Sequence, residues 1–322
     1  MKALEKEYTV SDLCRAFAVS RSGYYGWRQA GQSPRAVANA QLDAGIREVY
    51  QTHRGRYGSP RVTRALKKSG TGCSENRVAR RMKTLGLAAR AKKGYVPRTT
   101  DSRHGGPICA NRLLEREKPR QAHEVWLSDI TYVATGEGWL YLAGFLDVAT
   151  RRLVGWSVGA TLEADLVCRG LNEARQRHHP KAGLIIHSDR GCQYASWAYR
   201  QLLEKIRAVP SMSRRANCYD NAMMESFWST LKAECFASYL PATHREARQM
   251  IFEYIETYYN RVRLHSSLGY LTPVDFENQI SYTSNHNHPI PPVRQIGGSP
   301  RHLRLLLVRC AHPDNKLSRL SE

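Results

Sequence analysis

The sequence predicts an α/β protein in which a mixed sheet carries helices on both faces and follows small all-helical modules. Three runs rich in β-branched and aromatic residues follow one another from residue 125, with turn residues between them, which is typical of an antiparallel meander. Helical and strand patterns then alternate up to residue 260. Ahead of residue 96, in contrast, apolar residues recur at helical spacing.

The catalytic-core candidate spans residues 123–280. Its first three strands are predicted at 125–133, 139–148 and 152–161. The elements predicted after them are strands at 184–188 and near 209–212, and helices at about 162–178, 196–207, 220–235 and 244–260. Three antiparallel strands followed by alternating helices and strands make a mixed sheet with helices on both faces.

Four further segments complete the predicted organisation. Two short apolar patterns, with Ser20 as a helix cap between them, predict a helix-turn-helix-like segment over residues 1–35. Residues 39–95 predict a basic module of three helices. Residues 96–122 are basic and lack periodicity, which indicates a linker. Residues 281–322 contain several prolines and glycines and predict a poorly ordered tail.

The positive charge of the chain is concentrated in its first third. Lys+Arg 49 against Asp+Glu 28 gives a net charge of +21. Residues 1–120 hold 26 basic and 9 acidic side chains (26 − 9 = +17), residues 121–280 hold 17 of each, and residues 281–322 hold 6 and 2. This segregation favours a polyanion such as DNA as the partner of the first third. The alternative is a solvated basic surface.

Basic residues of the second module are the candidate DNA contacts. A glycine-rich loop and the last predicted helix of the module supply them: Arg54 and Arg56 in the loop, and Arg77, Arg80 and Arg81 in the helix. Only Glu75 lies nearby in the sequence as an acidic partner for that helix. Contact with phosphates is therefore a better interpretation than a solvated face.

Other classes of protein fit the sequence poorly. The 8 cysteines form no Cys-x-x-Cys pair, which argues against a zinc site and against a disulfide framework. The charged N-terminus lacks the apolar stretch of a signal peptide, and no window approaches 18 uninterrupted apolar residues. We therefore expect a cytoplasmic protein that does not contact a membrane.

Three carboxylates stand out by their predicted positions. Asp129 falls inside an apolar strand, where an unpaired charge is costly. Asp189 follows a buried strand directly, at the end of the strand where ligands collect in α/β sheets. Glu225 lies on a helix, and Lys232 follows it by seven residues, which is close to two turns.

Carboxylates from two strands and a helix suit a two-metal site for phosphoryl transfer. Mg²⁺ and Mn²⁺ prefer oxygen ligands, and two such ions can activate a hydroxyl and stabilise a leaving oxygen. Each residue has another interpretation, since Asp189 could belong to an ordinary turn and Glu225 to a helix surface. Asp147 is a rival to Asp129 that spacing alone does not exclude.

Five sequence blocks together resemble one family. They are RGRYGSPRV (54–62), WLSDITYV (126–133), HSDRGCQY (187–194), SMSRRANCYDNAMMESFWSTLK (211–232) and YYNRVRLHSSLGYLTPVDF (258–276). In addition, 35 residues separate Asp189 from Glu225 (225 − 189 − 1 = 35). From about residue 8 to 278 the chain resembles the bacterial insertion-sequence transposases encoded in two overlapping frames, specifically their second-frame catalytic protein with a DDE-type integrase core.

The resemblance implies a ribonuclease-H-like core and favours Asp129 over Asp147. It implies that Asp129, Asp189 and Glu225 are the catalytic ligands of two Mg²⁺ or Mn²⁺ ions, with Asp129 bridging the ions. Further residues would contact DNA or line the site: Lys232 near the reactive phosphate, together with Asn221, Arg263 and His265.

The expected function is metal-dependent DNA cleavage and strand transfer during transposition. The expected partners are transposon-end DNA, target DNA and a first-frame protein, either separate or fused, with the chain forming a homo-oligomer on DNA. Two alternatives remain at this point. One is a non-catalytic DNA-binding regulator or decayed transposase copy, and the other is a plain ribonuclease-H-like nuclease.

Overall fold

The chain divides into two compact units, Met1–Ala91 and Lys92–Glu322. The structure is a computed structural model that describes residues 1–90, 106–114, 116–214, 221–237 and 239–285. Within these ranges, every helix is too short or too polar to cross a membrane. The predicted linker up to residue 105, and the predicted tail from residue 286, lie outside the described residues.

Five α-helices, preceded by a short 3-10 helix at Lys2–Leu4, make up the described part of the first unit. The first two are α1 (Val10–Ala16) and α2 (Arg21–Gln29), and Ser20 caps α2, as predicted, by accepting a hydrogen bond of 3.0 Å from the Gly23 N–H. The predicted three-helix module is also confirmed, as α3 (Pro34–Thr52), α4 (Ser59–Lys68) and α5 (Glu75–Thr84). Its core is formed by fully buried apolar residues from each helix: Ile46, Val62 and Val78.

The second unit is built on a five-stranded mixed sheet in the order β3-β2-β1-β4-β5. The strands are β1 (Val125–Thr135), β2 (Gly138–Asp147), β3 (Leu153–Gly159), β4 (Ile185–Ser188) and β5 (Val209–Met212). The first three pair antiparallel, whereas β4 runs parallel to β1 and to β5. The predicted meander and mixed sheet are confirmed.

Helices cover both faces of this sheet. The helices of the unit are α6 (Ala164–His178), α7 (Cys192–Ala195), α8 (Trp197–Lys205), α9 (Ala222–Cys235), α10 (His244–Phe252) and α11 (Pro273–Asn285). Phe145 of β2 packs in one apolar core with side chains of α6 and α8. Its neighbour Gly144 faces the opposite side, where Trp228 of α9 lies against it. Successive residues of β2 therefore contact different helical layers, because side chains alternate between the two faces of a strand.

The structure differs from the predicted elements mainly after residue 244. The helix predicted over 244–260 changes at Glu253 into a π-helix, Glu253–Tyr259, whose wider turn buries four side chains: Tyr254, Ile255, Tyr258 and Tyr259. Helix α11 was not predicted, and it continues past the predicted boundary at residue 280. The described end of the predicted linker is attached to the core, since the Arg112 N–H donates to Ser211 Oγ at 2.9 Å.

Candidate active site

Two of the predicted carboxylates lie level with each other on neighbouring strands. Strands β1 and β4 run parallel, with Leu127 opposite His187. Continuing this register by two residues brings Asp189, which follows β4 directly, opposite Asp129. Neighbouring strands are about 4.8 Å apart, so the backbone alone places both side chains at one site.

Helix α9 brings the third carboxylate and an indole donor to the same site. Trp228 Nε1 donates a hydrogen bond of 3.0 Å to Asp129 Oδ2. The indole fits there because Gly144, which pairs with Asp129 across β1 and β2, has no side chain. A Cβ on Gly144 would lie 2.8 Å from Cη2 of Trp228. Glu225 is on the same helix, one turn before Trp228.

Burial and the charges of the neighbouring carboxylates both act on Asp129. Burial and the charge of Asp189 raise the pKa of Asp129 to about 8, with a smaller contribution from Glu225 and opposing hydrogen bonds from the Ile130 N–H and Trp228. Burial also raises the pKa of Glu225, although its side chain is more exposed than those of the two aspartates. Without a cation, the raised pKa values therefore favour the protonated forms of Asp129 and Glu225.

The loop that carries Asp189 is fixed by local hydrogen bonds. Asp189 Oδ1 accepts a bond of 2.9 Å from the Gly191 N–H, so the residue does form a turn, which was the alternative interpretation of this motif. Arg190 Nε donates to the Ser213 carbonyl at 2.8 Å. The turn and the site are compatible, because the turn orients the carboxylate.

Lys232 and Asn221 flank the acidic residues. Lys232 is partly buried, and burial lowers its pKa while the charge of Asp129 opposes this shift. Asn221, the N-cap residue of α9, is buried, and its Nδ2 donates to the Ser128 carbonyl at 3.4 Å. Its Oδ1 has no hydrogen-bond partner among the residues that the structure describes. Both side chains therefore adjoin the strand that carries Asp129.

Asp147 does not belong to this site. Asp147 pairs with Trp126, whereas Asp129 pairs with Gly144, three positions away along both strands. Because side chains alternate along a strand, Asp147 and Asp129 face opposite sides of the sheet. Its carboxylate accepts hydrogen bonds from the His123 N–H at 2.7 Å and from the Thr150 N–H at 2.8 Å. Asp147 thus fixes a turn, and the geometry favours Asp129, as the family resemblance did.

Arg263 and His265, which were predicted to contact DNA or line the site, lie in the interior of the core. Arg263 is 5% exposed and forms a salt bridge of 2.7 Å with Glu234 of α9. Tyr254 OH donates to the same carboxylate at 3.0 Å, and His265 contacts the guanidinium. The buried pair leaves Arg263 unavailable for a phosphate. Glu234 was missed in the sequence.

The basic residues of the first unit also need one correction. Arg81 Nε donates a hydrogen bond of 2.7 Å to Asp43 Oδ1, and this bond is the main cause that lowers the pKa of Asp43. Arg81 therefore has an acidic partner on α3 that the local sequence did not suggest. Arg77 Nη2 donates to Asn39 Oδ1 at 3.0 Å. Arg80 of α5 has an exposed side chain.

Arg54 and Arg56 lie in the loop between α3 and α4. Arg54 is exposed and has a left-handed backbone conformation, with φ of 51°, and the following Gly55 has φ of 73°. Arg56 is half-buried. Two successive left-handed residues bend the backbone sharply, so the loop brings both arginines beside the start of α4.

The repulsion within the acidic site gives a testable pH dependence. The pKa of Asp129 is higher in the folded protein, about 8, than its ordinary value of 3.8. Protonation of this group therefore adds to the free energy of unfolding, fully below about pH 3.8, and this contribution is lost as the pH rises through about 8. We therefore expect metal-free Asp129→Asn protein to be more stable than wild type at about pH 9, and the difference to vanish near pH 4. Urea unfolding with a chelator present measures this. A wild type that is the more stable protein at about pH 9 would contradict the electrostatic account.

Comparison with known families assigns both units. The integrase core domain family matches residues 119–218, and a second integrase core domain family matches residues 207–273. An HTH-like domain family matches residues 36–95, which is the module of α3, α4 and α5. The predicted integrase-type core is thereby confirmed.

Similar proteins cover most of the chain. An uncharacterized 31 kDa protein of insertion element IS600 from Shigella sonnei is 42% identical over 83% of this chain and 98% of its own length. The transposase for insertion sequence element IS904 from Lactococcus lactis is 41% identical over 76% of this chain and 96% of its own length. The transposase InsF for insertion sequence IS3A from Escherichia coli is 36% identical over 85% of this chain and 96% of its own length. With its integrase core, its HTH-like domain and this similarity over nearly whole relatives, the chain belongs to the insertion-sequence transposases of the DDE type.

Proposed function

We propose that the second unit cuts and rejoins DNA strands at the site of Asp129, Asp189 and Glu225. Hydrolysis of one strand exposes a 3′-hydroxyl, and the same site then directs this hydroxyl onto another phosphodiester. The observation that carries the proposal is the parallel register of β1 and β4, which brings Asp129 and Asp189 to one site, beside the helix that carries Glu225. Acidic side chains so close together are hard to explain without a cationic ligand.

The residues of the site fit two Mg²⁺ or Mn²⁺ ions. Asp129, Asp189 and Glu225 offer carboxylate oxygens, which these hard cations prefer, and these three residues would hold the ions. When bound, such ions activate a hydroxyl and stabilise the leaving oxygen of an in-line displacement. An integrase core domain implies a divalent metal, whereas the identity and number of the ions belong to this proposal.

The protein itself orients the ligands and the DNA. The indole N–H of Trp228 holds Asp129 in one rotamer, and the Gly191 N–H does the same for Asp189. Lys232 supplies a positive charge beside the carboxylates, where the scissile phosphate would lie. The buried Oδ1 of Asn221 is placed to accept a hydrogen bond from a water or sugar hydroxyl.

Trp228→Phe tests the orienting role of the indole. The substitution keeps an aromatic ring at this position, but it removes the hydrogen bond to Asp129 together with the part of the indole that packs against Gly144. Loss of one orienting hydrogen bond to a metal ligand is expected to weaken Mn²⁺ binding by about tenfold. Electron paramagnetic resonance of free Mn²⁺ measures the binding directly. Unchanged Mn²⁺ affinity would show that the indole does not orient the ligand.

The HTH-like module of the first unit is proposed to hold the DNA. Arg80 has an exposed side chain on α5, next to Arg81, whose guanidinium is bound to Asp43. We expect Arg80→Ala to weaken DNA binding by about 3–10-fold and to lower the slope of log K against log salt by about 1. Fluorescence anisotropy at several salt concentrations measures both. Glu48→Gln, which changes an exposed charge on α3, is a comparison variant.

A strand-transfer assay tests the proposed function as a whole. The substrate is a labelled, pre-cleaved element end with a target duplex, in Mg²⁺ or Mn²⁺. Joined product would establish strand transfer, and cleavage without joining would support the plain nuclease. Tight DNA binding without any product, even when a first-frame partner protein is added, would support the regulator or decayed copy. Sedimentation of the DNA complex tests the proposed homo-oligomer.

A further inference from the structure

A second group of possible metal ligands lies apart from the acidic residues. His123 precedes β1, His178 is the last residue of α6, and Glu277 lies on α11. Each residue offers one ligand atom, and these three atoms lie within 4.8 Å of one another. In the part of the chain that the structure describes, this is the one group of at least three His, Cys, Asp or Glu side chains that meets this distance. All three side chains are largely buried, at 20%, 7% and 11% exposure.

The distances in this cluster suit a small tetrahedral ion. His123 Nε2 lies 3.2 Å from Glu277 Oε1, and His178 Nδ1 lies 4.0 Å from the same oxygen. Metal–ligand bonds of about 2.0–2.1 Å place neighbouring ligands of a tetrahedral Zn²⁺ about 3.3 Å apart. One of the two distances already has this value, and the other requires a movement of less than about 1 Å.

The protonation states also suit metal binding. Burial, together with the charge of Arg152, lowers the pKa of His178 to about 4, so the ring is neutral near pH 7 and its lone pair is available. Burial opposes the ionisation of Glu277, but hydrogen bonds from His123 and Arg152 lower its pKa to about 2. Two imidazoles and one carboxylate are the protein ligands of many catalytic zinc sites.

Groups that would orient the ligands are in place around the cluster. Asp147 Oδ2 lies 3.8 Å from His123 Nδ1, and a metal-bound histidine commonly gives its second N–H to a carboxylate. Arg152 Nη1 contacts the other oxygen of Glu277 at 2.6 Å and leaves Oε1 facing the histidines. Trp126 Nε1 now donates to His123 Nδ1 at 3.3 Å, so metal binding requires the other tautomer of His123 and loss of this bond.

We propose that His123, His178 and Glu277 form a binding site for a transition-metal ion such as Zn²⁺, separate from the acidic site that binds DNA-cleaving cations. Imidazole nitrogens favour Zn²⁺ or Co²⁺ over Mg²⁺. His123 precedes β1 and Asp129 lies near the middle of the strand, six residues later, which is about 20 Å along an extended chain, so the two sites are separate. A bound ion joins α6 and α11 to the start of β1 and stabilises the C-terminal helix of the core.

Metal titration of the full chain tests this proposal. The parent protein carries Asp189→Asn, which weakens the acidic site, and the probes are Co²⁺ and Zn²⁺ alone. We expect one Co²⁺ per chain with the visible spectrum of a low-symmetry nitrogen and oxygen site. We also expect Zn²⁺ at 100 times its Kd to raise the Tm by about 5–10 °C. Mg²⁺ at the same concentration should give no such shift.

Two histidine variants locate the ion. In the same parent, His178→Asn should remove the Co²⁺ spectrum and the Zn²⁺-dependent rise in Tm. His179→Asn is the matched control, because His179 is exposed and Asn tolerates its left-handed backbone, with φ of 44°. The proposal is overturned if Zn²⁺ leaves the Tm of the parent unchanged. It is equally overturned if the Co²⁺ spectrum survives His178→Asn, since the ion would then bind elsewhere.

Discussion

Asp189→Asn is expected to reduce strand joining by about three orders of magnitude or more while leaving DNA affinity within about twofold of wild type. The amide keeps the size of the side chain and its hydrogen bond to the Gly191 N–H, because its oxygen can still accept. It removes the negative charge that a divalent cation needs. The measurement is the rate of joined product from a pre-cleaved DNA end, together with anisotropy for binding.

Asp165→Asn provides the matched control for this substitution. Asp165 lies in the first turn of α6, its side chain is 63% exposed, and it forms an ion pair with Arg169 on the helix surface. Such pairs contribute little to stability, so activity should stay at the wild-type level. If Asp189→Asn retained more than about a tenth of the joining rate, Asp189 could not be a ligand of the catalytic cations.

Removal of one partner of the buried Arg263–Glu234 pair is expected to cost about 3–5 kcal/mol of unfolding free energy. In Arg263→Met the carboxylate of Glu234 stays buried without its charged partner, and the hydroxyl of Tyr254, 3.0 Å away, still donates to it. A single neutral donor does not offset the desolvation of a charge. Urea unfolding of wild type and variant measures the loss.

The double variant Glu234→Leu with Arg263→Met separates the charge effect from packing. With both charges absent, the desolvation penalty disappears, and stability should return to within about 2 kcal/mol of wild type. A double variant as unstable as Arg263→Met would indicate that packing, rather than the uncompensated carboxylate, causes the loss. A single variant that costs less than about 1 kcal/mol would contradict the buried ion pair itself.

The sheet and two carboxylates could be predicted because their signals are local. Alternating apolar residues reveal each strand of the meander, and a charged Asp129 inside such a run is conspicuous. Asp189 stands out for a similar reason, directly after a short buried strand. The family resemblance then joined these residues to Glu225, whose own helix gives no local sign of a site.

The buried ion pairs could not be predicted, because the partners are distant in sequence. Glu234 resembles any polar residue of an amphipathic helix, and its partner Arg263 comes 29 residues later. Asp43 and Arg81 are separated by 38 residues. Only the packing of helices shows which charges are desolvated. Helix α11 did carry a usable signal, since Pro273 occupies the first helical position, where proline is favoured.

The pairing of β1 with β4 has a consequence for how the acidic site can adjust. Asp129 and Asp189 come from adjacent hydrogen-bonded strands, so sliding one past the other would break the ladder of the central sheet. Glu225 is attached differently, because it lies on a helix that packs against the sheet through side chains. In the proposed mechanism, a small rotation of α9 would therefore move Glu225 while the two aspartates keep their relative position, so the affinity of the site for cations would be adjusted through that helix.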